Sequence, residues 1–392
     1  MRIWTGSSRR RWTIVCAAAV LAAGLVAGIT VAAWPAQRTP TTAPVASIAA
    51  GLSTTCAVLA DGTARCWGGN LAGELGDGTR RARSAPVRVA GLSGVTAIAT
   101  GFHYTCALLD DHKVRCWGWN QYGQLGDGTT ADRLAPVPVA GLTDVQSLSA
   151  QGESSCALLA DRTVRCWGAN RYGQLGDGTN TDRATPVAVA GLTSVTQVSA
   201  GTGHACALLA DGTVRCWGLN FFGELGDGST ANRVRPVLVR GLSGVTRIAV
   251  GNRDTCAVVR DGTARCWGAN TSGELGDGTT TNRSAPVRVA GLSGVSSVVP
   301  GVSRSCALLT DHRVRCWGAL RYGQRTSGPS TVQRTPAPVI GLGSATAITG
   351  FGEHTCALLT DRTARCWGVN DSGQLGDGSD TDRATPVAVA AG

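Results

Sequence analysis

The sequence predicts an all-β fold, a seven-bladed β-propeller with four antiparallel strands per blade, written in 50-residue repeats. Three observations carry that reading. The stretch CAVLADGTARCWG, residues 56–68, returns fifty residues later as CALLDDHKVRCWG, then as CALLADRTVRCWG, seven times in all. Each unit holds four short β-prone runs; in the second they are VTAIA (95–99), TCALL (105–109), VRCWG (114–118) and PVPV (136–139). Finally, Val45 to Gly392 spans 348 residues against seven fifties, with Val45-Ala46-Ser47-Ile48 in phase with Val95-Thr96-Ala97-Ile98. The repeats are therefore expected to meet as a ring, which leaves only short, protected sheet edges.

The repeated stretch reads as a β-hairpin, because two apolar runs flank Asp-Gly, Asp-Arg or Asp-His. Its register follows from the cysteines. A three-residue loop, Ala60-Asp61-Gly62, ending in a left-handed residue pairs Leu59 with Thr63. That register sets Cys56 directly opposite Cys66, within reach of a cross-strand disulfide. A two-residue turn would put the sulfurs on opposite faces. The expected bridges are Cys56–Cys66, Cys106–Cys116, Cys156–Cys166, Cys206–Cys216, Cys256–Cys266, Cys306–Cys316 and Cys356–Cys366. Four copies place His112, Arg162, His312 or Arg362 at the left-handed position, each at a cost of about 1 kcal/mol. No C-x-x-C spacing points to zinc, and no metal or cofactor is expected.

Residues 1–12 are short and basic, and 13–34 open with an uncharged run of 21 residues, TIVCAAAVLAAGLVAGITVAA (13–33), after Arg9-Arg10-Arg11. Basic residues before such a run signal export, and its length suffices to span a bilayer. It reads as a signal anchor or a signal peptide, so the chain is expected outside the cytoplasm, secreted or held at the membrane by residues 13–33 if they are not cleaved. Paired cysteines agree with that compartment. Residues 35–44, PAQRTPTTAP, are a Pro/Thr-rich linker, and the propeller occupies 45–392. The net charge of +10 is inflated by five arginines before the repeats, which themselves carry only +5. No nucleic-acid partner is expected, and a monomer is.

The alternation of V-x-x-I-x-x-G, C-A-L-x-x-D-G-x-V, W-G-x-N-x-x-G-Q-L-G-D-G and P-V-x-V over residues 45–392 resembles the regulator-of-chromosome-condensation repeat. The resemblance implies a seven-bladed propeller. Eukaryotic members include a nucleotide-exchange factor for a small GTPase and chromatin binders, activities that an exported chain is not expected to share. A secreted bacterial β-lactamase-inhibitory propeller of similar fold implies binding without chemistry.

Residues common to all copies read as structure. The repeated tryptophan (Trp67 to Trp367) should pack between blades, and L-G-D-G should form turns. A calcium site is conceivable at Asp377, Asp380 and Asp382, although their spacing matches no loop of defined geometry. The informative residues are those that vary. They lie in the loops after strands one and three, which up-and-down connectivity brings to one end of the ring. Setting aside the blade tryptophans and three near the N-terminus, nine aromatics remain, all at this end: Phe102, Tyr104, Trp119, Tyr122, Tyr172, Phe221, Phe222, Tyr322 and Phe351. With Arg171, Arg253 and Arg321 they are the candidate partner-binding residues, because aromatic and arginine anchors dominate protein interfaces.

Catalysis has little support. His103, His204 and His354 are dispersed over blades two, four and seven, Glu153, Glu353 and Asp254 share their rim, and no nucleophile–base pair can be drawn. The function expected is therefore an exported, non-catalytic scaffold that binds an extracytoplasmic protein, such as a secreted enzyme, through one face. The alternative is a cell-wall or glycan-binding propeller whose aromatic rings stack on sugars.

Overall fold

The computed structural model describes residues 43–319 and 332–391. Residues 1–42, with the export segment, and residues 320–331 of the sixth blade lie outside that description. The described chain forms seven four-stranded antiparallel sheets, each with its strands in sequence order. The first blade comprises Val45–Ala50, Thr54–Leu59, Ala64–Gly68 and Arg83–Arg88. Strand one of each blade lies against strand one of its neighbours, around the axis, while strand four is the outer edge of its sheet, paired with strand three alone. Among the described residues there is no helix long and apolar enough to cross a membrane.

The hairpin register is the one that the cysteine spacing requires. Leu59 N donates to Thr63 O at 2.8 Å and Gly62 N to Leu59 O at 3.0 Å. Cys56 stands opposite Cys66, with 4.0 Å between the Cα atoms, and all seven expected disulfides are formed. His112, Arg162, His312 and Arg362 adopt the left-handed conformation with φ of 61–67°. The fourth strand differs from expectation. In six blades it starts at Arg83 or its copies, three residues earlier than the apolar pattern suggests, because Arg83 pairs with Gly68 across an irregularity in the ladder; in the sixth it starts at Val332.

The repeated tryptophans cement neighbouring blades. Each is fully buried, and Trp117 packs on Cys56, Val58, Ala64, Leu75 and Val89 of the preceding blade. Six indole N–H groups donate to a carbonyl of the preceding blade, Trp117 to Glu74 O at 2.9 Å for example. The glycine of L-G-D serves this contact. Gly76 has φ of 67°, and a Cβ on it would lie 2.6 Å from the indole nitrogen of Trp117. Closure follows the same rules: Trp67 Nε1 donates to Gln374 O at 3.0 Å, and Val45 N to Arg362 O at 3.2 Å. The ring is thus closed without a covalent link.

The aspartate that follows that glycine holds the long loop. Asp77 Oδ1 accepts from Thr79 N at 2.9 Å and Thr79 Oγ1 at 2.7 Å, and Oδ2 takes the Arg83 guanidinium at 3.0 Å. Burial alone would raise this carboxyl, but the Thr79 and Arg83 hydrogen bonds outweigh it and hold the group below its ordinary value. Buried Asn70 completes the loop, accepting from Leu75 N at 3.0 Å and donating to the carbonyls of Thr79 and Arg81 at 3.1 and 3.0 Å. The same Asp–Arg pair recurs in six blades. In the sixth blade Thr326, Ser327 and Gln333 stand where the others have Gly, Asp and Arg. Its loop segment Gln324-Arg325-Thr326-Ser327-Gly328 lies outside the described residues. Loss of such a hydrogen-bonded hub costs about 2 kcal/mol, so blade six is expected to open first in hydrogen exchange. Equal protection of all seven blades would contradict this.

Candidate functional site

Three variable residues lie two to four positions before each first cysteine, and the structure sorts them by depth. The third, two positions before the cysteine, begins strand two and shares the cysteine's face, so it points inward. Thr54, Tyr104, Ser154, His204, Asp254, Arg304 and His354 are all buried. Most of them reach the next blade. Tyr104 Oη donates to Ser154 O at 2.7 Å, and His204 Nε2 lies 2.8 Å from Thr255 Oγ1. Arg304 Nη2 donates to Thr355 Oγ1 at 3.1 Å, and His354 Nε2 lies 2.7 Å from Thr55 Oγ1. The variation at this position therefore tunes contacts between blades.

Two expected anchors are corrected on that ground. Tyr104 is 1% exposed, and burial pushes its phenol above the ordinary value. Phe351 is fully buried; it stands in phase with Gly51 and Gly101 at the exit of strand one, where its ring meets that of Phe102 at 5.5 Å. Neither can serve as an exposed anchor. Asp254 leaves the rim for the same reason as Tyr104. Arg321 and Tyr322 lie outside the described residues.

The remaining described candidates lie in the loops after strands one and three. The loops after strands one and three adjoin, with Trp119 N donating to His103 O and Ala169 N to Glu153 O. In blade two, Trp119 and Tyr122 pack edge to face at 5.4 Å, and Phe102 of the same blade is half-buried. From blade three to blade five a row of rings and guanidinium groups forms. Arg171 lies over the Tyr172 ring at 5.1 Å, Tyr172 meets Phe221 at 6.0 Å, and Arg253 lies over Phe222 at 5.3 Å. Phe221 is 59% exposed. Arg171 is further oriented by Glu153, at 3.0 Å. An exposed side chain that the aromatic pattern overlooks is Leu71, 76% exposed at the in-phase position of blade one. Its signal is positional, since it aligns with Arg171 and Phe221.

The ionisable groups are placed for structure. Asp377 is engaged by Ser379 and by Arg383 at 2.7 Å, and Asp382 accepts from Asn370 N at 2.7 Å, so these loop acids are committed to their own turn. Among the described residues no group of three or more His, Cys, Asp or Glu side chains could hold a metal ion. His103 pairs with buried Glu74 at 3.2 Å. The repeated strand-three arginines, Arg65 and its copies, are half-buried and form no ion pair among the described residues.

Burial lowers His204 and His354 to about 3, with Arg304 adding to the effect at His354. Unfolded, both would protonate near the ordinary 6.5. Between those values the unfolded chain binds more protons, so this stability is complete above the unfolded value and is lost as pH falls towards the folded one. Asp254 and Glu224 act in the opposite sense. Burial raises both carboxyls, with Glu274 adding to the effect at Asp254, so their cost at neutral pH is relieved by acid. Each buried histidine contributes up to about 1.4 kcal/mol per pH unit to acid destabilisation. A His204→Gln/His354→Gln variant is thus expected to lose less stability than the wild type between about pH 7 and about pH 4.5, measured by denaturant unfolding. Equal pH slopes would refute the assignment.

Two sequence models of the regulator of chromosome condensation (RCC1) repeat match the chain. One covers residues 61–108, 111–158, 163–208, 211–258 and 261–308. The other covers 45–74, 95–124, 145–174, 195–224, 245–274 and 350–374. No curated protein sequence matches. Among solved structures, Prp20p from Saccharomyces cerevisiae is similar at 22% identity with a TM-score of 0.74, over 89% of this chain and 88% of that one. Human WBSCR16 is similar at 24% identity with a TM-score of 0.74, over 83% and 94%. The ectodomain of the Arabidopsis thaliana receptor kinase ACR4 is similar at 20% identity with a TM-score of 0.51, over 83% and 97%. At these identities the likeness is one of fold.

Proposed function

The chain belongs to the regulator of chromosome condensation (RCC1) repeat family, and from that premise we propose that it is an exported, non-catalytic scaffold that binds a protein through its variable face. One observation carries the reading: the row Arg171–Tyr172–Phe221, continued by Phe222–Arg253, which spans three blades at the loop end of the ring. Each ring in it is held by a neighbour yet remains partly or largely exposed. Such pre-ordered aromatic and arginine side chains lose little conformational freedom on binding, which is the property of interface anchors. Trp119, Tyr122 and Phe102 extend the same face in blade two, and Leu71 extends it in blade one.

Export rests on the basic and apolar stretch at 9–33 and on seven disulfides, which persist in oxidising compartments. Protein binding is in keeping with a family in which the Prp20p structure was described together with its binding to Gsp1p and histones. An exported chain would meet other partners. The test is capture by the immobilised chain from the secreted and surface fraction of the producing cell, with and without soluble wall glycan as competitor. A partner retained in the presence of glycan supports a protein-binding face. Displacement by glycan would replace it with a sugar-binding one.

A further inference from the structure

The end of the ring opposite the aromatic face carries six inter-blade connectors, each ending in leucine: Leu92, Leu142, Leu192, Leu242, Leu292 and Leu342. These side chains fill the gap between successive blades. Leu92 packs among Ala64, Val89, Val95, Ala107 and Trp117, and Leu192 and Leu292 have equivalent settings. At the seam between blades seven and one, the residues in phase with that leucine are Gly392 and Thr42, neither of which carries an aliphatic side chain. There the structure has a notch of about 370 Å³, lined by Val45, Ala57, Leu59, Trp67, Ala364 and Val389. These six are the in-phase counterparts of the residues around Leu92. Val45 and Val389 are half-exposed, whereas their copies Val95 and Val89 are buried. Repeat symmetry thus marks the notch as a site shaped for one leucine side chain.

The rim narrows the choice of occupant. The connector positions on either side are already taken by this chain, since Ala390 N donates to Gly376 O and Ala60 N to Pro44 O, as in the other blades. A second strand cannot run through, and an incoming chain must enter end-on. Arg65 and Arg362 stand at the notch with a single acid, Asp361. That carboxylate is occupied by Thr363 N and Oγ1 at 2.9 and 2.6 Å, while neither arginine has an ion pair among the described residues. The rim therefore offers cationic charge to an anion arriving beside an aliphatic group.

We propose that the seam notch receives the C-terminal residue of a partner polypeptide, its leucine-type side chain filling the connector-leucine site and its terminal carboxylate meeting Arg65 and Arg362. This site lies at the opposite end from the aromatic row and is independent of it. The probe is acetyl-Ala-Gly-Leu with a free carboxylate, titrated against the whole chain by calorimetry or NMR. Saturable binding is expected, about tenfold or more weaker for acetyl-Ala-Gly-Ala and about threefold or more weaker for the leucine amide. Ala391→Trp, at an exposed position on the notch, is expected to abolish it. Arg362→Gly, which restores the glycine found at Gly62 and Gly212, is expected to reduce the preference for the free acid, with Arg65 left to meet it, while keeping the turn. Alanine at Trp119 and Tyr122 should leave it unchanged. Absence of saturable binding at millimolar peptide would overturn the proposal. So would binding indifferent to Ala391→Trp in a variant whose thermal unfolding matches the wild type.

Discussion

Replacing Trp119, Tyr122, Phe221 and Phe222 together by alanine is expected to abolish partner binding and leave the fold intact. Hot-spot anchors of this kind contribute about 2 kcal/mol or more each. Loss of two already weakens binding by roughly three orders of magnitude, because 1.4 kcal/mol is tenfold. The fold should survive because Phe221 is largely exposed and the other three are half-exposed on loops, so truncation leaves no core cavity. Arg253 would lose the Phe222 ring it lies over, and the Tyr172 ring beneath Arg171 would lose its packing against Phe221, so each arginine alone should prove a poor anchor in the variant. A matched set at the other end, His112, Arg162 and Arg362 to Gly, is expected to leave capture through the aromatic face unchanged. It relieves a left-handed non-glycine residue at each turn. Binding measured by surface capture decides between the ends: sensitivity to the second set and not the first would reverse the face assignment.

Full reduction is expected to unfold the propeller. Each bridge joins residues ten apart in sequence, and cross-linking a loop of that size stabilises by about 2–3 kcal/mol on the chain-entropy model. Seven such terms together reach about 14–21 kcal/mol, which is of the order of or above the net stability of about 5–15 kcal/mol usual for a folded domain. The sulfurs are buried, so reductant should act through blade opening, and reduction should be slow in native buffer and fast in mild denaturant. Circular dichroism and thiol counting under both conditions test this. A fully reduced chain that kept its sheet signal and cooperative melt would show that packing of the tryptophans and connector leucines suffices alone. Non-reducing peptide mapping should return only the within-hairpin pairs.

Much of this was legible before any coordinates, because it is local and repeated. The Cys–Cys spacing with one possible hairpin register settles which strands pair and where the sulfurs meet, since side chains alternate along a strand and a shift of one residue would separate them. The recurrence of tryptophan on the third strand of every blade marks an inter-blade layer for the same reason. Within one repeat, sequence distance is a good guide to contact.

Contacts between repeats are another matter. Tyr104 and Phe221 both read as variable aromatics near a loop, yet one is sealed against Ser154 of the next blade and the other stands in solvent. The difference lies in where strand two begins and how close the next blade comes. Asp77 and Arg83 recur at a fixed spacing, but their pairing appears only once the loop between them is folded back. The seam notch has no motif at all, being visible only when seven positions are compared around a closed ring. The repeat period alone determined that this chain forms blades and how each is stapled. Only the closed ring decided which side chains remain outside, because burial at a blade edge depends on the neighbour fifty residues away.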